Sequence, residues 1–252
     1  MNPLFSTALG GCVLLVTAAA FSAETLVHAS NWETLSYEAQ QFPQEAPSPW
    51  AYASAASTNG TRQIVDGEIL DVNTMGANGY HRYRKEMPTV FDRLADGYLI
   101  SVRLAIVSNE TTIASRNRTD AAFNLLISDA VGSTTGQTYF VGIDAASVGT
   151  GHTADGALRT NVTFSSLFAG YNARTQNVYT IKRTVADLSV YVNGQLLFRD
   201  EGFESTSAGP TTKSVMEFGD RATNYDCEFA VDYIRGGQAY LPPPSGTIIL
   251  LN

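Results

Sequence analysis

Apolar and polar residues alternate along much of this chain. The clearest run is Tyr98–Val107. Tyr98, Ile100, Val102, Leu104 and Ile106 fall on one side, and Ser101, Arg103 and Ala105 on the other. A period of two marks a β-strand with one face buried. Leu188–Val192 repeats the pattern, with Leu188, Val190 and Val192 opposite Ser189 and Tyr191. Val178–Thr184 is rich in Val, Ile, Tyr and Thr, residues that suit a pleated, half-buried surface. Asn193-Gly194 supplies the positive φ values of a type I′ turn, so Gln195–Arg199 is expected to return as the second strand of a hairpin. In Cys227–Ile234, strict alternation puts Cys227, Phe229, Val231 and Tyr233 on one face. It puts Glu228, Ala230, Asp232 and Ile234 on the other. Further strands are expected at Leu35–Ala39, in Ile64–Val72 around Asp66-Gly67, and at Tyr80–Lys85, Ala122–Ser128 and Thr138–Asp144. Asn161–Leu167 reads as a strand or a short helix, and the small, polar Ala145–Ala157 as a loop. No 3.6-residue period is sustained. Strands recurring at intervals of roughly ten to twenty residues, with turn signals between them, predict an all-β sandwich.

Composition narrows the setting. The 252 residues fit one large β domain, and 44% hydrophobic residues suffice for a sizeable core. A net charge of −8 argues against nucleic acid or an anionic membrane as partner, since either would require a basic face. Residues 1–23 carry no charge and contain the apolar run Cys12–Phe21, followed by Ser22-Ala23. That run is about half of the roughly 20 residues a membrane span needs. It reads as a cleaved signal peptide, so no integral membrane span is expected in the mature chain. The expected organisation is a signal peptide over 1–23, the sandwich over 24–240, and a Pro-rich tail over 241–252. The expected location is extracellular, with periplasm or cell surface as variants. After cleavage Cys227 is the sole cysteine, which excludes an internal disulfide. It reads as a small buried hydrophobe.

Three motifs stand in a telling order. Val190-Tyr191-Val192-Asn193-Gly194-Gln195-Leu196-Leu197 forms a hairpin, Phe218-Gly219-Asp220 a turn, and Asp232-Tyr233-Ile234-Arg235 sits in a closing strand. Upstream, Val65-Asp66-Gly67-Glu68-Ile69-Leu70 has the shape of an early hairpin. Together these resemble the concanavalin A-like (laminin-G-like) jelly-roll superfamily over most of residues 32–237. The resemblance implies a two-sheet antiparallel jelly-roll sandwich and a glycan or polysaccharide as partner. It also implies one structural Ca²⁺, held by Asp232 together with backbone carbonyls of the N-terminal segment.

The motifs of catalysis are weaker. The β-glucanases of this superfamily carry E-x-D-x-E on one strand, and that pattern is missing here. Asp226, Glu228 and Asp232 share a face, but Ala230 interrupts the row. The superfamily's polysaccharide lyases use Gln-x-His with arginines and a tyrosine, and Gln-x-His is also missing. His81, Tyr83 and Arg84 on one strand, with Arg103 on another, supply suitable residue types for proton abstraction and carboxylate neutralisation. The bland reading is an amphipathic strand whose arginines snorkel to solvent. No G-x-S-x-G motif supports a serine nucleophile. His28, His81 and His152 are too scattered for zinc.

Three readings follow, in this order. The first is a secreted, non-catalytic carbohydrate-binding module, with Tyr83, Tyr139 and Tyr191 stacking on sugar rings. The second is a glycan-active enzyme, a lyase or hydrolase, built on His81, Tyr83, Arg84 and Arg103. The third is a structural or adhesion domain of the cell surface, which the low charge would suit.

Overall fold

The alternation becomes two stacked sheets in the computed structural model, which describes residues 37–38, 40–46, 49–54, 61–73, 81–86, 97–109, 121–131, 135–152, 158–164, 169–184, 187–203, 215–219 and 227–238. The expected signal peptide and C-terminal tail lie outside these residues, as do Asp226 and His28. Among the described residues no helix is long and apolar enough to cross a membrane.

Fifteen strands are described. They are β1 (Tyr37–Glu38), β2 (Ala51–Ser54), β3 (Thr61–Val65), β4 (Glu68–Asn73), β5 (His81–Glu86), β6 (Tyr98–Asn109), β7 (Phe123–Val131) and β8 (Thr135–Ile143). The series continues with β9 (Ser147–His152), β10 (Leu158–Thr163), β11 (Asn177–Arg183), β12 (Asp187–Val192), β13 (Gln195–Glu201), β14 (Val215–Gly219) and β15 (Cys227–Gln238). Sheet A runs β13-β12-β11-β6-β15-β4-β3, with β1 also paired to β15. Sheet B runs β10-β9-β8-β7-β14-β5-β2. Every strand pairing is antiparallel.

Most expected strands form within a residue or two of their predicted bounds. The hairpin turns are as read: Asp66 and Gly67 have φ 52° and 80°, and Asn193 and Gly194 have φ 51° and 80°. Three departures have physical reasons. Ser147–His152 is a strand, not a loop. Its Gly149 and Gly151 pair with Gly142 and Phe140 of β8, so a stretch poor in side chains is held by its neighbours' hydrogen bonds. Ala51–Ser54 is a short strand on the edge of sheet B, paired to β5. In β15 the alternation slips. Val231 pairs with Leu104 and Tyr233 with the adjacent Arg103, so Asp232 is the extra residue of a β-bulge. Tyr233 therefore turns outward and half-buried, while Ile234 is fully buried, the reverse of strict alternation.

The core fills the space between the sheets. Tyr98, Ile100, Val102, Leu104 and Ile106 of β6 are all fully buried. Phe229 of sheet A meets Phe123 of sheet B edge to face, with centroids 5.4 Å apart. The hydroxyls of Tyr98 (sheet A) and Tyr139 (sheet B) hydrogen-bond at 2.7 Å, so a polar contact links the layers inside the core. Both seams of the sandwich are tied. On one, the Arg62 guanidinium of β3 sits 3.7 Å over the Tyr52 ring and donates to the Tyr83 hydroxyl at 2.7 Å. On the other, Thr160 of β10 donates to Asp200 of β13 at 3.2 Å.

Candidate functional site

Period two decides where the predicted site residues go, and it separates them. On β5 the inward residues are His81, Tyr83 and Lys85, all buried, and the outward ones are Arg82, Arg84 and Glu86. Tyr83 has no exposed surface; its ring stacks on Phe218 at 4.9 Å. Arg84 leaves the opposite face of the same strand. Arg103 lies on β6, in the other sheet. His81, Tyr83, Arg84 and Arg103 thus do not converge, which corrects the expected lyase-like cluster. Tyr139 is also a core residue, bonded to Tyr98 and packed edge to face on Phe203 at 5.6 Å. Neither Tyr83 nor Tyr139 presents a ring to a surface ligand, a second correction. Aromatic and β-branched side chains bury the most apolar area, so the aromatic face of β5 is the core face. Tyr191 alone of the three predicted tyrosines points outward, half-buried on β12.

The outer face of sheet B holds a compact ionic cluster. Glu217 of β14 is cross-strand to Arg84 and is 4% exposed. It accepts from Arg84 at 3.2 Å and from Arg82 at 3.4 Å. Gly219 permits this approach of β14 to β5. Its φ is 122°, and a Cβ there would lie 2.3 Å from the His81 carbonyl oxygen.

The outer face of sheet A carries an open groove of about 530 Å³. It is lined by Ser101 of β6, Val178 and Thr180 of β11, Asn193-Gly194 of the β12–β13 turn, and Tyr233 and Arg235 of β15. The register explains the convergence. Tyr191 pairs with Thr180, Thr180 with Ser101, and Ser101 with Arg235. These four form one transverse row about 14 Å long, three strand spacings. The Ser101 and Thr180 hydroxyls bond to each other at 2.9 Å, leaving further donor and acceptor capacity at the pair. The Asn193 side chain ties the turn to β11: its Oδ1 accepts from the Val178 N–H at 2.9 Å and its Nδ2 donates to Asn177 at 2.9 Å. Arg235 lies 3.8 Å over the Tyr233 ring. Sequence reasoning missed Tyr233 and Arg235 because the bulge is silent in the alternation pattern. The signal that could have exposed it is Ile234, an apolar residue that strict alternation leaves facing solvent.

Asp232 sits beside this groove, not in it. Its carboxylate accepts from Arg103 Nη1 at 2.5 Å. Ca²⁺ takes six to eight oxygen ligands. Here the one predicted carboxylate is held by a guanidinium, and among the described residues no three His, Cys, Asp or Glu gather at any point. Much of the N-terminal segment assigned the ion's carbonyl ligands lies outside the described residues.

No family model and no curated protein sequence matches the chain. Solved structures do. A protein of unknown function from Bacillus subtilis with a galectin-like fold superposes with a TM-score of 0.52 at 10% identity, over 82% of this chain and 96% of that one. The fold is the concanavalin A-like jelly roll. Two other jelly rolls are similar at lower scores. The carbohydrate recognition domain of Emp46p, in a potassium-bound form, has a TM-score of 0.49 at 11% identity, over 83% of this chain and all of that one. The Bacillus licheniformis β-glucanase has 0.46 at 14%, over 81% of this chain and 97% of that one.

Proposed function

We propose that this jelly roll is a secreted, non-catalytic carbohydrate-binding module whose binding surface is the groove on the outer face of sheet A. The observation that carries this is the lining itself. Tyr233 lines the groove and Tyr191 stands at the end of its row, so two outward tyrosines flank it. Two hydroxyls, a turn amide and a guanidinium lie between or beside them. An aromatic platform meets the apolar C–H face of a sugar ring, and a few placed polar groups meet its hydroxyls. Binding is favoured over turnover because the described residues of the lining include no carboxylate and no histidine to act as acid or base. The uncharged segment 1–23 supports secretion.

A glycan array with the purified protein tests the reading. Saturable binding to one sugar class, reduced about tenfold by Tyr191→Ala, is the expected result. The same class, incubated with the protein and followed for new reducing ends or unsaturated products, should stay intact. Absence of binding to every glycan would overturn the proposal. N-terminal sequencing of protein recovered from outside the cell should show cleavage near Ala20–Ala23.

A further inference from the structure

The floor of the groove holds two hydroxyls that can bond to more than each other. Ser101 of β6 and Thr180 of β11 are direct cross-strand partners, and their hydroxyls meet at 2.9 Å. A pair of hydroxyls carries two donors and four acceptor lone pairs, so one internal bond leaves a hydrogen and several lone pairs for a ligand. That internal bond also polarises the pair and strengthens the next bond in the chain. Ser101 is 3% exposed and lines the groove, so its hydroxyl lies at the floor and not on the rim.

The walls are set before a ligand arrives. On the β15 side, Tyr233 carries the Arg235 guanidinium 3.8 Å over its ring. On the other side, the Asn193-Gly194 turn is held to β11. The Asn193 N–H donates to the Val178 carbonyl at 2.8 Å, its Oδ1 accepts from the Val178 N–H at 2.9 Å, and its Nδ2 donates to Asn177 at 2.9 Å. A groove fixed in this way costs a ligand little ordering. Tyr191 stands in the same row as the pair, one strand beyond Thr180. A sugar hydroxyl is both donor and acceptor, and the pair answers it in both roles. A carboxylate or sulfate offers acceptors only, and the net charge of −8 opposes its approach.

We infer that the Ser101–Thr180 pair determines specificity in the groove, reading one unsubstituted hydroxyl of a neutral hexose whose ring lies against Tyr191. This rests on the carbohydrate-binding reading and specifies it.

The test uses the full-length mature protein and trisaccharides of glucose, galactose and mannose, each with its monodeoxy and mono-O-methyl derivatives. Titration calorimetry gives the affinities. The expected result is binding of one series in which deoxygenation at a single position weakens affinity about tenfold, the size of one net hydrogen bond. O-methylation there should weaken it at least as much, because a donor is lost and a methyl group is forced onto the floor. In the double variant Ser101→Ala, Thr180→Val the parent sugar should fall to the affinity of its deoxy form, while the deoxy form binds as before. Thr180→Val alone should remove part of the discrimination at smaller structural cost, and Thr180→Ser, which keeps the hydroxyl, should retain it. Ser–Thr pairs also support strand pairing. A pair with that role alone would lower the melting temperature of the variants and leave the discrimination intact, which overturns this inference. Binding in which no single hydroxyl matters, or binding confined to array glycans outside these series, overturns it too. In each case the carbohydrate reading stands. No binding by any trisaccharide, nor by any array glycan, overturns both.

Discussion

The outer faces of the two sheets handle their arginines in opposite ways. On sheet B, Arg82 and Arg84 converge on Glu217, a carboxylate that is 4% exposed on a strand flanked on both sides. The charges are consumed in holding β5 to β14. On sheet A, Asp232, the extra residue of a bulge, engages Arg103 in an exposed pair. Arg235 lies over the Tyr233 ring, among the described residues that line the groove. A flat pairing register yields a structural clamp, and one inserted residue turns Tyr233 outward into the groove. Bulges re-aim side chains in this way.

The contrast can be broken from the sheet B side first. The double variant Arg82→Met, Arg84→Met strips Glu217 of both guanidiniums. We expect a loss of about 3 kcal/mol in urea denaturation, in the range for breaking a buried pair by removing its partners. Arg103→Met, which breaks the exposed pair on sheet A, should cost under about 1 kcal/mol. Equal losses would mean that the two faces do not differ as described.

The buried tyrosine pair makes a second comparison, between inside and outside. Tyr139→Phe removes the hydroxyl that meets Tyr98 in the core. It should destabilise by about 1–2 kcal/mol, measured the same way, because a buried hydrogen bond between the layers is lost. Tyr191→Phe, on the outer face, should shift stability by less than about 0.5 kcal/mol. Had Tyr139 been the sugar platform, its removal would affect binding and spare stability.

Lys85 sharpens the picture within one strand. Arg84 and Glu86 face solvent on either side of it, whereas Lys85 is buried with its ammonium 5.5 Å over the Trp50 ring. Burial lowers its pKa from 10.5 to about 8. Between those values the unfolded chain binds the proton that the folded chain has released, so stability rises with pH across that window. Below pH 8 the cost of the buried charge is present in full. Melting temperatures from pH 7 to 10 should show this rise in the parent, and it should be absent in Lys85→Met. A parallel slope in both would place the effect elsewhere. Opposing it above pH 10, burial raises the Tyr37 and Tyr179 hydroxyls well above their usual range and Tyr171 to about 12.

The smallest expected effect is that of Asp232→Asn. It keeps the bulge and weakens the bond to Arg103, so stability should move by a few tenths of a kcal/mol. Glycan binding at the groove should be unchanged. Weaker binding would mean that Asp232 positions the groove.

Much of the architecture was legible because period two and the turn chemistry of Asp66-Gly67 and Asn193-Gly194 are local signals. The fold needs little more than which strands exist and in what order. The site was less legible for two reasons. Alternation tells which residues share a face, not which face is inside. Hence Tyr83 and Tyr139, plausible platforms by residue type, turned out to be core. The bulge at Asp232 also inverts the assignment of Tyr233 and Ile234 downstream, and its cause is pairing with β6, 129 residues away in sequence at the Asp232–Arg103 contact. Of the three tyrosines, only Tyr191, read from a clean hairpin with a fixed turn, faces outward.

The groove spans β6 and β15, the two twelve-residue strands that pair along nearly their whole length at the middle of sheet A. A ligand seated across them would grip the part of the molecule that opens last. Its binding energy would then appear as protection against complete unfolding, by RT ln(1 + [L]/Kd). Slow exchange of the β6 and β15 amides would become slower still, while the edge strand β3, on the far side of sheet A, kept its own rate. Such a protein would be a tether whose hold tightens the very strands that bear it.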